Sequence, residues 1–194
     1  MTASASKPTS EMTASAFLDW VAGRRFELVD GITVAMAPGT ALHAKLQAQL
    51  ALLIGQHLKR QAGPCWVGTE PGVQPRAQSR HNVRVPDLAV SCTPVGPSDR
   101  VMRDPILIVE ILSPSNTKDT RSNVLAYTSI PTVKEILIVD TSSRRLEVLC
   151  RDADGTWPDD PTAHLGAGRI VVASIGLELD LADVYSGTHL SKEP

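Results

Sequence analysis

The spacing of apolar residues divides the chain into helical and extended segments. Residues 1–11, rich in Ser, Thr and Ala, carry no apolar period and predict a disordered leader. Thr13 is placed to cap a short helix over ASAFLDWVAG, with Phe17, Trp20 and Val21 on one side and Gly23 as its stop. In RFELVDGITVAMA, Asp30-Gly31 between two apolar runs predicts a hairpin, because both turn positions tolerate positive φ. From about Thr40 to Gln61, Leu42, Leu46, Leu50, Leu53, Ile54 and His57 recur at helical spacing, and Gly63-Pro64 ends that helix.

Extended segments follow. CWVGTEPGVQP predicts a strand interrupted by Pro-Gly, RAQSRHN a basic loop, VRVPDLAVSC a strand and TPVGPSDRVMRD a loop. PILIVEIL is the most apolar run and predicts a central strand buried on both faces. After the polar SPSNTKDT, a helix over RSNVLAYTS stops before Pro131. KEILIVD is a second buried strand and RRLEVLC alternates as its neighbour. The stretch RDADGTWPDDPTAHLGAG is turn-rich, with Asp154-Gly155 as a turn, and RIVVASIGLELDLADVYSG predicts a short strand, a loop and a turn of helix. Roughly seven strands, two longer helices and one strand–helix–strand crossover predict one α/β domain over residues 12–190, a mixed sheet flanked by helices.

Composition narrows the class. Hydrophobic residues make up 42% and aromatics 4%, so the core rests on Val, Ile, Leu and Ala. A formal charge of -2 exerts no global pull on nucleic acid, and DNA contact requires a local basic patch. Cys65, Cys92 and Cys150 are widely spaced with no C-x-x-C pair, which argues against a zinc knuckle or a disulfide framework and fits a reducing compartment. The amino terminus lacks the apolar centre of a signal peptide, and no run approaches the roughly 20 apolar residues of a membrane span. A cytoplasmic protein without membrane association is the expectation.

Two carboxylates do not belong to their surroundings. Glu110 lies inside ILIVEIL and, by strand alternation, shares a face with Ile106, Ile108 and Leu112. An unpaired ionised carboxylate there costs several kcal/mol. Asp87 poses the same problem in VRVPDLAV, where Pro86 removes a ladder donor. If the two strands are neighbours, both carboxylates meet and suit Mg²⁺, which prefers oxygen ligands and retains waters. The alternative is that each pairs with an arginine, Arg84 or Arg103, or faces solvent.

The succession VPDLAV, PILIVEILSPSN, a helix ending in Tyr and Ile-Pro, then KEILIVD, resembles the Uma-two family of the PD-(D/E)XK nuclease superfamily. FELVDGITVAMAPGTALH and the closing IGLELDLADVY are similar to that family's two ends, so the likeness spans roughly residues 13 to 187. It implies a restriction-endonuclease-like fold and Mg²⁺- or Mn²⁺-dependent hydrolysis of nucleic acid, DNA in particular, with a homodimer as the expected assembly. Carried over by position, Asp87 and Glu110 are the metal ligands, with the Ile111 carbonyl as a third. Glu27 and His43 match acidic and imidazole positions beside the same pocket, and Glu70 is a weaker candidate. From the residues alone, Glu27 reads equally as a solvated hairpin residue and His43 as a helix-end histidine.

One departure matters. The superfamily's lysine position, two residues after the Glu, is Leu112, and the family's alternative position four residues after Asp119 is Asn123. An amide hydrogen-bonds but supplies no positive charge. Lys118, Arg121 and Lys45 are nearby substitutes that read equally as surface charges. Arg76, Arg80, His81 and Arg84 before the Asp87 strand, with Lys118 and Arg121, are candidate nucleic-acid contacts or a solvated loop. Asp140 reads as a turn cap, and Ser113, Ser115 and Asn116 as helix caps or phosphate contacts. Two readings stand: a metal-dependent endonuclease with Asp87, Glu110, His43, Glu27 and Asn123 at its centre, or a catalytically impaired relative that binds nucleic acid or a protein.

Overall fold

The computed structural model describes residues 11–21, 25–114 and 116–192. The predicted leader except Glu11, the Gly23 stop and Ser115 lie outside them. Thr13 caps helix α1 (Ala14–Trp20) by accepting from the Ala16 amide at 3.3 Å. Strands β1 (Phe26–Val29) and β2 (Ile32–Ala35) form the predicted hairpin, with Asp30 and Gly31 at φ 49° and 83°. Helix α2 (Ala41–Gln61) starts at a Thr40 cap and buries Leu46, Leu50, Ile54 and Leu58. It ends on Ala62 in the left-handed region, one residue before the predicted Gly63-Pro64 stop.

Strands β3 (Trp66–Thr69), β4 (Leu88–Ser91), β5 (Pro105–Leu112), β6 (Glu135–Asp140), β7 (Arg145–Cys150) and β8 (Thr162–Leu165) form one six-stranded sheet in sequence order. Only β5 and β6 pair in parallel, and helix α3 (Thr117–Thr128) is the crossover between them. The apolar run PILIVEIL is β5, flanked on both sides as its composition requires. A final hairpin, β9 (Arg169–Val172) with β10 (Leu177–Asp180), leads into α4 (Leu181–Val184).

Side-chain alternation splits the core in two. Leu88, Val90, Leu107, Val109 and Ile111 face α2 and the carboxy-terminal hairpin, while Ala89, Ile108, Ile136 and Ile138 face Val124 and Tyr127 of α3. Among the described residues no helix is long and apolar enough to cross a membrane.

Besides β10, a second strand where a loop was expected before the helical turn, three features differ from expectation. Helix α3 begins at Thr117 rather than Arg121, because its exposed first turn has no apolar period to read. Strand β8 lies within the turn-rich stretch; as an edge strand with mostly exposed side chains it lacks the alternation that marks a half-buried one. The third is a disulfide. Cys65 and Cys92 are bonded, S–S 1.92 Å, which corrects the reading of the cysteines as unpaired. They lie one step beyond the Trp66↔Ser91 pair of the β3/β4 ladder, so register closes a separation of 27 residues that linear spacing leaves open.

Candidate active site

The β4/β5 register dictates the centre of the site. Leu88 is paired with Val109, so the next step of an antiparallel ladder places Asp87 opposite Glu110, the closest relation two residues on neighbouring strands can have. The two carboxyl groups are near enough to interact by both charge and hydrogen bonding. Among the described residues neither turns into an arginine. Glu110, 6% exposed, accepts from the Tyr127 hydroxyl at 2.7 Å. Asp87 is held at four points. Its Oδ1 lies 3.2 Å from His43 Nε2 and its Oδ2 accepts from the Ile111 amide at 2.7 Å. Its backbone carbonyl accepts from Glu70 N and Gln47 Nε2, both at 3.0 Å.

The electrostatics follow from this crowding. Burial, and then the charge of Asp87, push the Glu110 carboxyl well above the ordinary carboxylate range. Tyr127, fully buried against Glu110, is driven up likewise by burial first and then by that charge. Glu27 is also raised, mainly by burial, against the opposing pull of the Val85 amide, Asn123 and Arg84.

The cleft has a volume of about 610 Å³ and is walled by the β1/β2 hairpin, the start of α2, the segment before β4, the end of β5 and one face of α3. Glu27 is buried in it rather than solvated, its Oε1 accepting from Val85 N at 2.8 Å. Asn123 donates to the two oxygens of Glu27 at 3.2 and 3.4 Å and accepts from Arg84 Nη1 at 3.2 Å. His43 folds back over Gly39 so closely that a Cβ there would stand 2.9 Å from Nδ1. Glu70 sits at the rim with Arg25, 2.8 Å away.

Five expected residues, Asp87, Glu110, His43, Glu27 and Asn123, therefore line one cleft. Ile111 adjoins it through its backbone: its amide serves Asp87 and its carbonyl accepts from Asn116 at 3.3 Å. Ser113 and Asn116 line the wall, where Asn116 accepts from the Ser113 amide at 2.7 Å. The basic candidates divide. Arg84 lines the cleft, whereas Arg76, Arg80 and Lys118 are exposed outside its lining. Arg121 binds Glu147 of β7 with two contacts of 2.6 and 3.0 Å, so it does not replace the missing lysine. Lys45 lies along α2 toward Gln49. Asp140 caps its turn through Ser142 N at 2.6 Å.

Tyr127 and Gln47 escape a sequence reading of the site. A signal exists for the first: Asp119, Asn123 and Tyr127 follow one another at four-residue spacing, which is one face of a helix. Nothing local marks Gln47, whose partner is a backbone atom 40 residues away.

A divalent ion fits this donor set in one particular way. Among the described residues no three His, Cys, Asp or Glu side chains form a ready-made cage. Two opposed carboxylates, one of them destabilised by the other's charge, match an ion bound by one or two carboxylates with waters and substrate oxygens completing its shell.

Comparison with known proteins agrees with this architecture. An uncharacterized protein of Synechocystis sp. is 27% identical over 188 residues, covering 95% of this chain and 96% of that protein. A crystal structure described as "a putative nuclease belonging to DUF820", from Anabaena variabilis, superposes with a TM-score of 0.67 at 17% identity, covering 87% of this chain and 97% of that one; it shares the fold. The profile of the Uma2 family, described as "Putative restriction endonuclease", matches residues 14–182. The chain thus belongs to the Uma2 family and carries the mixed-sheet fold of its structurally known relative.

Proposed function

We propose that the protein is a divalent-metal-dependent endonuclease that hydrolyses phosphodiester bonds of nucleic acid, with DNA as its substrate. The observation that carries this reading is the meeting of Asp87 and Glu110 with no arginine between them among the described residues. Asp87 and Glu110 would hold Mg²⁺ or Mn²⁺. When bound, such an ion acidifies a water and offsets charge on the attacked phosphate.

The chain's own residues supply the rest. His43 and the Ile111 amide fix the Asp87 carboxylate, and Tyr127 fixes Glu110. Glu27, whose burial raises its proton affinity, is the base that takes a proton from the attacking water. The water oxygen bonds to phosphorus, the opposite P–O bond breaks, and the departing oxygen takes its proton from solvent. Two copies acting as a homodimer would each address one strand of a duplex, a stoichiometry that light scattering measures directly.

The test is cleavage of supercoiled plasmid and single-stranded DNA with Mg²⁺, Mn²⁺ or EDTA, beside the Asp87→Ala variant. Cutting that needs metal and disappears in the variant is the expected result. Equal cutting by both proteins would refute the assignment, and DNA binding without cutting would establish the impaired, binding-only role instead.

A further inference from the structure

Five carboxyl groups, Glu27, Glu70, Asp87, Glu110 and Asp119, line the cleft, and like charges gathered in this way call for an answering cation. Among the described lining residues only Arg25 and Arg84 carry a guanidinium, and none is a lysine. Arg25 is half exposed at the rim and committed to Glu70. Arg84 is different. It is 6% exposed, its main chain is pinned to Val73 by hydrogen bonds of 2.8 and 2.9 Å, and its Nε has no hydrogen-bond partner among the described residues. Burial of a guanidinium with an unmet donor costs stability, and an apolar side chain of similar length would serve the fold as well or better.

We propose, resting on the nuclease reading above, that Arg84 is the internal cation of the cleft: a positioning residue that acts through Asn123 on Glu27. The relay is continuous. Arg84 Nη1 donates to Asn123 Oδ1, which forces the amide NH₂ to point the other way, onto both oxygens of Glu27. An ionised Glu27 only accepts and the guanidinium only donates, so both hold the amide in one orientation. Glu27 is then aimed by two donors, Asn123 Nδ2 and Val85 N, while Arg84's charge favours its ionised form. This assigns the positive charge of the site to the segment before β4.

The experiment uses the full chain and two readouts: calorimetric titration with Mn²⁺ without substrate, and plasmid cleavage. Arg84→Met removes a positive charge beside the carboxylates, so Mn²⁺ binds tighter by roughly five- to tenfold. Cleavage by the same variant falls about 100-fold, because the aimed donor is lost. Adding Asn123→Lys to that variant places an ammonium between the two positions; Mn²⁺ affinity returns toward the parental value and cleavage recovers to within about tenfold of it. A merely structural arginine would give the opposite sign, weaker Mn²⁺ binding, and no rescue.

Unchanged or weakened Mn²⁺ binding in Arg84→Met, or parental cleavage, overturns the inference and leaves the nuclease reading standing. An inactive parent that Asn123→Lys alone switches on also overturns it, since Arg84 would then not be supplying the charge. A parent and an Asn123→Lys variant that both fail to cut with metal bring down the nuclease reading and this inference together. Should Arg84→Met not fold, Asn123→Leu severs the relay while keeping the arginine: cleavage falling about 30-fold with Mn²⁺ affinity within twofold supports the relay, and a parental rate refutes it.

Discussion

Replacing Glu110 by Gln should make the metal-free protein more stable and destroy its chemistry. The side chain is almost fully buried, faces the charge of Asp87 and has one strong donor, the Tyr127 hydroxyl at 2.7 Å. Gln keeps the volume, still accepts from Tyr127 through its carbonyl, and offers its NH₂ to Asp87 where the native pair has two acceptors. Replacement of buried ionic groups by neutral ones of similar size is worth about 1–4 kcal/mol, and the Tyr127 bond already offsets part of the native cost, so the gain is about 2 kcal/mol. For a domain of this size that raises the unfolding midpoint by about 4–8 °C.

The sign depends on pH. Glu110 in the folded chain holds its proton to higher pH than in the unfolded chain, so its penalty is absent below the ordinary carboxylate range and grows as pH rises through the folded-state value. Differential scanning calorimetry in EDTA at pH 8 and at about pH 4 reads both ends. The variant should unfold later at pH 8 and together with the parent at low pH. Saturating Mg²⁺ should stabilise the parent and leave the variant unmoved. A variant less stable than the parent at pH 8 in EDTA would show that the carboxylate pair is not the strained element described above.

Other perturbations probe the neighbouring contacts. His43→Ala removes the imidazole from Asp87 Oδ1 and should lower cleavage by about 10- to 100-fold with the fold intact by circular dichroism, as expected for a group that orients a metal ligand. Tyr127→Phe leaves Glu110 without its donor inside the core and should cost about 1–3 kcal/mol in denaturant melts, most clearly at alkaline pH. Reducing the Cys65–Cys92 bond opens a 27-residue loop and should lower the midpoint by about 6–16 °C, from roughly 3–4 kcal/mol of loop entropy. The same reduction should leave cleavage within about twofold, because the disulfide closes the end of the β3/β4 ladder away from Asp87; loss of activity on mild reduction would contradict that separation.

Legibility from sequence tracked how local each signal is. The run PILIVEIL, the Asp30-Gly31 turn and the Thr40 cap are each decided by neighbouring residues, and each stands where expected. Asp87 and Glu110 announced themselves because a charge among apolar neighbours demands a reason. Glu27 and His43 are ambiguous: their exposure depends on what packs over a hairpin and over a helix start, and that cover comes from residues far along the chain. Arg84 looked like one of a cluster of loop arginines with Arg76 and Arg80, and only the bridge to Val73 buries it while leaving the others in water. The disulfide was invisible for the same reason, since register rather than spacing brings Cys65 to Cys92.

The amino-terminal hairpin is a separate two-stranded unit, held to the rest of the chain by the Leu28↔Val83 bridge, by bonds of Asp30 to Asn82 and of Gly31 to His81, and by the bonds of Glu27 to Val85 and Asn123. On the nuclease reading, a molecule with its large sheet already paired but this hairpin undocked would own Asp87 and Glu110 yet lack the base that draws a proton from water. On that reading, competence to cut would wait on the docking of this hairpin, whatever the state of the large sheet.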